Sequence, residues 1–136
     1  MSDLPAGVVA APIRVRYGET DQMGHAYYGN YLLWFEVARG EWCRAHGFTY
    51  KSLEEQGFRL PVVEVWAKYR GEVKYDDEIE VRIWLSEVKR SAMKFAYSVF
   101  NRTSGQVTTE GYTWHVWVRE GAMRAIGVPA EMRERL

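Results

Sequence analysis

Between Tyr31 and His46 the chain places Tyr31, Trp34, Phe35, Ala38 and Trp42 at i, i+3, i+4, i+7 and i+11. That spacing lays five side chains on one face of a helix. Leu32, Leu33 and Val37 widen the face beyond an amphipathic stripe, leaving Glu36, Arg39, Glu41 and Arg44 as the polar remainder. A helix this apolar wants cover on most sides, so it is expected to be wrapped by a sheet, with further burial at a subunit interface. Gly47 is placed to stop it in a left-handed turn. Thr49 to Gln56 reads as a short second helix ended by Gly57.

Elsewhere the apolar period is two. Ile13-Arg14-Val15-Arg16-Tyr17 alternates apolar and basic residues, a half-buried strand. Met1 to Pro12 before it, broken by Pro5 and Pro12, predicts a loose lead-in. After the helices come four strands. Phe58 to Tyr69 is the first, its early part confined to an edge or bulge by Pro61. Glu78 to Glu87 follows, with Ile79, Val81, Ile83 and Leu85 on one face. Met93 to Asn101 has Met93, Phe95, Tyr97 and Val99 inward, and Val107 to Arg119 has Tyr112, Trp114, Val116 and Val118 on one face. Lys89-Arg90-Ser91 and Thr103-Ser104-Gly105 are the hairpins, and consecutive strands are expected to pair antiparallel. Pro129 opens a last helical turn or two over Ala130 to Leu136. The order predicts an α+β fold, one long helix against an antiparallel sheet of about five strands.

Composition narrows the function. Eighteen Lys and Arg balance eighteen Asp and Glu, a formal net charge of zero. That is no basic field for nucleic acid, although a small local cluster can still hold a phosphorylated ligand. Zero charge with 15% aromatic residues leaves little self-repulsion to oppose self-association. The 136 residues fit one domain spanning 1–136. Such a domain buries about two-thirds of its unfolded surface without staples. Cys43 is the lone cysteine, which excludes an intrachain disulfide and reads as an inert buried thiol. The first residues carry neither a basic start nor a long apolar run, so no signal peptide or membrane span is expected, and a cytoplasmic protein is. His25, His46 and His115 lack the close spacing of metal ligands, and no metal is expected.

The chemistry concentrates in Arg16 to Tyr31: a strand end, a loop with three glycines, then the long helix. The loop holds the carboxylate Asp21 and the imidazole His25. Asn30 is placed to cap the helix with its side-chain oxygen. A helix N-terminus presents free N–H groups and partial positive charge. An acid beside such a terminus can polarise a carbonyl and attack it or activate water toward it. The competing reading is that Asp21 simply caps a turn, which Thr20 before it favours.

Tyr17-Gly18-Glu19-Thr20-Asp21-Gln22-Met23-Gly24-His25, then Tyr28, Asn30, Tyr31 and Phe35-Glu36-Val37-Ala38-Arg39, resembles the acyl-CoA thioesterases of the 4-hydroxybenzoyl-CoA thioesterase family. So do Tyr69 with Tyr75-Asp76-Asp77-Glu78-Ile79-Glu80-Val81, the Lys89-Arg90-Ser91 hairpin and the tail Arg124-Ala125-Ile126-Gly127-Val128-Pro129. The resemblance implies the hotdog fold, with the helix in the curl of the sheet, and a homodimer or homotetramer with active sites at subunit interfaces. It implies Asp21 as general base or nucleophile and the backbone N–H of Tyr28 as the donor that polarises the thioester carbonyl. Gly29 would let the backbone come close to substrate. His25 would orient the thioester or water, stabilise the leaving thiolate, or only brace the loop. Lys89, Arg90, Ser91 and Arg124 would meet the phosphates of coenzyme A, which enters as part of the substrate, with no separate cofactor. The alternative to that grip is a solvated charged turn.

One departure stands out: Glu72 occupies a place where the family often has proline, a loop change expected to lie away from the acid. Glu64 is expected to face either the site or a partner subunit. Trp34, Phe35, Trp42, Trp66 and Trp84 are expected in the core, at an interface or lining an acyl pocket. The implied activity is hydrolysis of an acyl-CoA to a carboxylate and free CoA. The alternatives are a hotdog dehydratase, whose His and acid spacing is not seen, and a non-catalytic acyl-CoA binder, against which Asp21 argues.

Overall fold

The apolar phases of the strands decide how the sheet meets the helix. The computed structural model describes residues 4–122 and 124–136. Strand β1 (Val9–Arg14) is followed by a single 3-10 turn (Tyr17–Glu19), helix α1 (Asn30–Ala45) and the short α2 (Tyr50–Glu55). Strands β2 (Phe58–Arg59), β3 (Val62–Tyr69), β4 (Glu78–Val88), β5 (Ala92–Asn101), β6 (Gln106–Val116) and β7 (Val118–Arg119) follow, and α3 (Ala130–Arg133) closes the order. Five strands form an antiparallel sheet in the order β1-β4-β5-β6-β3, and β2 pairs with β7.

Helix α1 packs its predicted face on the sheet. Tyr31, Trp34, Phe35, Ala38, Trp42 and Cys43 are buried against a sheet face of Ile79, Val81, Ile83, Met93, Phe95, Tyr97 and Val99. Phe35 stacks on Tyr97 with ring centres 4.0 Å apart, and Trp42 meets Phe95 edge-on at 4.9 Å. Gly47 ends the helix at φ +83°, and Phe48 folds back, its N–H donating to the Cys43 carbonyl at 2.8 Å. Burial pushes the Cys43 thiol up to about 11, the state of an unreactive thiol.

Four expectations change. The lead-in is strand from Val9, because Val9 to Arg14 pairs residue by residue with Ile83 to Glu78. Pro12 is tolerated because β1 is the sheet's edge; Met1 to Asp3 lie outside the described residues. The run Phe58 to Tyr69 splits at Leu60-Pro61 into β2 and β3, and Val107 to Arg119 splits at Trp117 into β6 and β7. Arg39, read as polar surface, is 9% exposed. It donates to Tyr97 Oη at 3.1 Å, at the head of a buried chain through Thr113 Oγ1 (2.6 Å) and His115 Nε2 (2.7 Å) to the Leu60 carbonyl (3.2 Å from Nδ1). Desolvation, then the charge of Arg39, lowers the His115 pKa to about 4, so the ring is neutral and donates from Nδ1.

Strand β6 therefore wears its apolar residues on the outside. Gly111, Thr113 and His115 face the helix, while Tyr112 and Trp114 lie on the far face, where Trp66 stacks on Tyr112 at 5.6 Å. Seven of the eight β3 residues are exposed along the other sheet edge, and Leu32, Leu33 and Val37 leave one face of α1 bare. Among the described residues no helix is long and apolar enough to cross a membrane.

Candidate active site

The loop between β1 and α1 is held by a buried carboxylate. Glu19 Oε1 accepts the Arg16 backbone N–H at 2.7 Å, and Oε2 accepts the Trp34 indole N–H at 2.9 Å and the Arg16 guanidinium at 3.2 Å. Burial alone would push this carboxyl up, but those hydrogen bonds and the guanidinium charge together hold it below its ordinary value. The Glu19 carbonyl accepts from the Tyr27 N–H and from Asn30 Nδ2, at 2.8 and 2.7 Å. Asn30 therefore does not cap the helix as expected: it is the first helical residue, and its side chain ties α1 to Glu19 instead.

Asp21 closes a tight loop. Its Oδ1 accepts the backbone N–H of Met23 at 2.9 Å and of His25 at 3.3 Å, while its own N–H donates to the His25 carbonyl at 2.8 Å. Gly24 takes the left-handed conformation at φ +82° that this reversal requires. Turn capping thus accounts for one of the two oxygens. Oδ1 holds the loop, and Oδ2 has no hydrogen-bond partner among the described residues.

Asp21, His25, Tyr28, Tyr31, Tyr69 and Glu72 line one cavity of about 250 Å³. Tyr69 Oη donates to the Tyr28 carbonyl at 3.2 Å, drawing the end of β3 onto the start of α1. The carbonyls of Tyr28 and Gly29 are engaged in the first helical turn, whereas their N–H groups donate to no acceptor among the described residues. A free carboxylate oxygen and unpaired N–H groups at a helix start are the two components needed to attack a carbonyl and to hold the oxyanion that forms. Gly29 has ordinary helical angles, and its missing side chain makes room for the Tyr27 ring, 2.7 Å from where a Cβ would stand.

Glu72 is not remote from the acid. Its Oε1 lies 3.1 Å from His25 Nε2, and it lines the same cavity. Glu19, inside the loop but buried by the fold, and Tyr69, brought to the loop by β3, are not among the expected site residues. Glu64 points elsewhere, accepting from Tyr112 Oη at 2.9 Å. Trp34, Phe35 and Trp42 are core, Trp66 lies on the outer sheet face, and neither they nor Trp84 line this cavity.

Lys89, Arg90 and Ser91 form the expected hairpin, and the segment after Arg124 runs beside it, with the Val128 N–H on the Arg90 carbonyl at 3.0 Å. Both stand away from Asp21. Strand β5 runs its full length, about 30 Å at the usual rise per residue, from the hairpin to Asn101. Asn101 Nδ2 reaches the Glu72 carbonyl at 3.4 Å, so hairpin and cavity occupy opposite ends of one chain. No group of three or more His, Cys, Asp or Glu converges as metal ligands would among the described residues.

Comparison with known proteins gives this geometry a family. Residues 15–136 match the model of the thioesterase-like superfamily. The acyl-CoA thioesterase YbgC of Haemophilus influenzae is 32% identical over 123 residues, 90% of this chain and 89% of that one. The solved DHNA-CoA thioesterase of Staphylococcus aureus is 33% identical with a TM-score of 0.85, covering 88% of this chain and 80% of that one. A 4-hydroxybenzoyl CoA thioesterase mutant complexed with 4-hydroxybenzoyl CoA, 24% identical over 95% of this chain and 98% of its own, shares the fold at a TM-score of 0.85. The chain therefore belongs to the thioesterase-like superfamily and is a thioester hydrolase with the hotdog fold.

Proposed function

We propose that this chain hydrolyses acyl-CoA thioesters to a free carboxylate and CoA, with Asp21 as the reacting acid. The observation that carries the reading is the pairing of Asp21 Oδ2 with the unpaired N–H of Tyr28 on the same cavity. The carboxylate takes a proton from water or attacks the acyl carbon itself, and the N–H groups at the start of α1 receive the charge on the carbonyl oxygen. The substrate brings its own CoA, and no separate cofactor is needed. Replacing Asp21 by Asn keeps size and hydrogen bonding at the loop and removes the basic oxygen. Turnover should fall by about two to four orders of magnitude, with the circular dichroism unchanged. Near wild-type thiol release by D21N would defeat the assignment, whereas a wild type that binds acyl-CoA and releases no thiol would favour the non-catalytic binder.

The distance between hairpin and cavity bears on assembly. The Tyr69 end of β3 lies at the cavity, and its Val62 end lies beside His115 and Met93, at the hairpin end. Antiparallel pairing of two β3 edges sets the cavity of one chain beside the hairpin end of the other. The working unit in this reading is a dimer or higher homo-oligomer. Lys89 and Arg90 of the partner subunit then approach the CoA phosphates, with Ser91 and Arg124 beside them.

A further inference from the structure

We propose that Glu72 is a positioning residue for the active-site imidazole, holding His25 in the tautomer whose proton sits on Nε2. The inference rests on the reading of this cavity as the place of thioester hydrolysis. Glu72 Oε1 lies 3.1 Å from His25 Nε2, and a carboxylate only accepts, so Nε2 is the protonated nitrogen. His25 Nδ1 has no partner among the described residues.

An exposed ion pair adds little to stability, and this one is partly exposed, with side-chain exposures of 34% and 59%. Its value lies in geometry, because both partners stand on fixed backbone. His25 is clasped by Asp21 on one side and bridges Lys74 on the other. Glu72 precedes the buried Val73, whose carbonyl accepts the Ala26 N–H at 2.7 Å, and its own carbonyl meets Asn101 Nδ2. Asp77 Oδ2 closes the segment by accepting the Lys74 N–H and Asn101 Nδ2, both at 2.8 Å. Lys74 Nζ stands 3.6 Å from the second Glu72 oxygen. The backbone on both sides is thus already ordered, and only side-chain rotamers are fixed when the carboxylate meets the ring.

The tautomer separates the roles open to His25. In the proposed tautomer, with Nε2–H taken by Glu72, the ring has only the Nδ1 lone pair left to offer. It accepts a hydrogen bond from water and orients that water for Asp21; it has no proton to offer a leaving thiolate. Asp21 remains the reacting acid, and Glu72 acts only through the imidazole.

Long-range proton–nitrogen correlation of the His25 ring reads the tautomer directly and needs no substrate. The Nε2–H form should dominate in the wild type and in E72Q, which keeps an acceptor oxygen, and should give way to a mixture in E72A. E72A should lower kcat for acyl-CoA about tenfold with KM little changed, E72Q much less, and E72A should cost nothing further in the H25A background. An unchanged tautomer in E72A, or an equal loss of kcat in the H25A background, would overturn the proposal. Failure of the Asp21 assignment would show instead as an active D21N enzyme, with the tautomer result unaffected.

Discussion

Glu19 is the residue whose loss should be felt most directly in the loop. Glu19→Ala strands the Trp34 indole N–H in the core and frees the Arg16 end of the turn, at a cost of about 1–3 kcal/mol. Because the folded carboxyl titrates below its unfolded value, this contribution is fully present above the ordinary carboxylate range and disappears as pH falls through the folded value. Urea midpoints of wild type and E19A should thus differ at pH 7 and converge in acid; a constant gap would remove the carboxylate from the account. Local reading found Asp21 and His25 because they sit in one short loop with a chemical pattern. It missed Glu19, whose indole partner Trp34 stands one turn into α1, and Glu72, which reaches His25 only after the 70–77 loop folds back. A carboxylate in a Gly-rich loop looks the same in sequence whether it is solvated or buried.

At the scale of elements, Gly111 of β6 leaves room for the Phe35 ring of the helix and for the neighbouring strand. A Cβ there would stand 2.9 Å from the Phe35 ring and 2.8 Å from the Trp66 carbonyl, and the second of these is backbone. Gly111→Ala should destabilise the fold by about 1–3 kcal/mol by prising α1 from β6, read as a lowered thermal midpoint; an unchanged midpoint would mean the stack of Phe35 on Tyr97 has slack. The helix and the phases of β4 and β5 were legible because their inward positions are apolar at every turn of the period. Strand β1 was obscured by a run of small residues ending in proline, and only its partners on β4 make Val9 to Pro12 extended. In β6 the period was plain, but periodicity cannot say which face is inside. Here the aromatic face is the outer one, and the inner face is polar and paired.

For the molecule as a whole, the hairpin and the cavity lie at opposite ends of β5, and the proposed CoA grip is tested across subunits. Arg90→Ala should raise KM for acyl-CoA more than it lowers kcat, with less effect at high salt, and spare a truncated thioester without the nucleotide. At acyl-CoA well below the R90A KM, reassorting R90A with D21N chains should return activity above either parent, because the proposed mixed dimer rebuilds one intact site from the two halves. No gain on mixing, with exchange verified, would place both halves in one chain. The polar seam from Arg39 to Leu60 carries a different consequence, for the chain before it is folded. Slipping β6 by one residue would turn Tyr112, Trp114 and Val116 toward the helix and send Thr113 and His115 out to water. By greasiness alone the slipped sheet is the more attractive ending. It forfeits the Thr113 partner of Tyr97 and breaks the chain through His115, leaving the buried Leu60 carbonyl without its donor. The seam is thus a registration key: it lets this chain keep its aromatic side free for the outside while the misaligned sheet stays the costlier state.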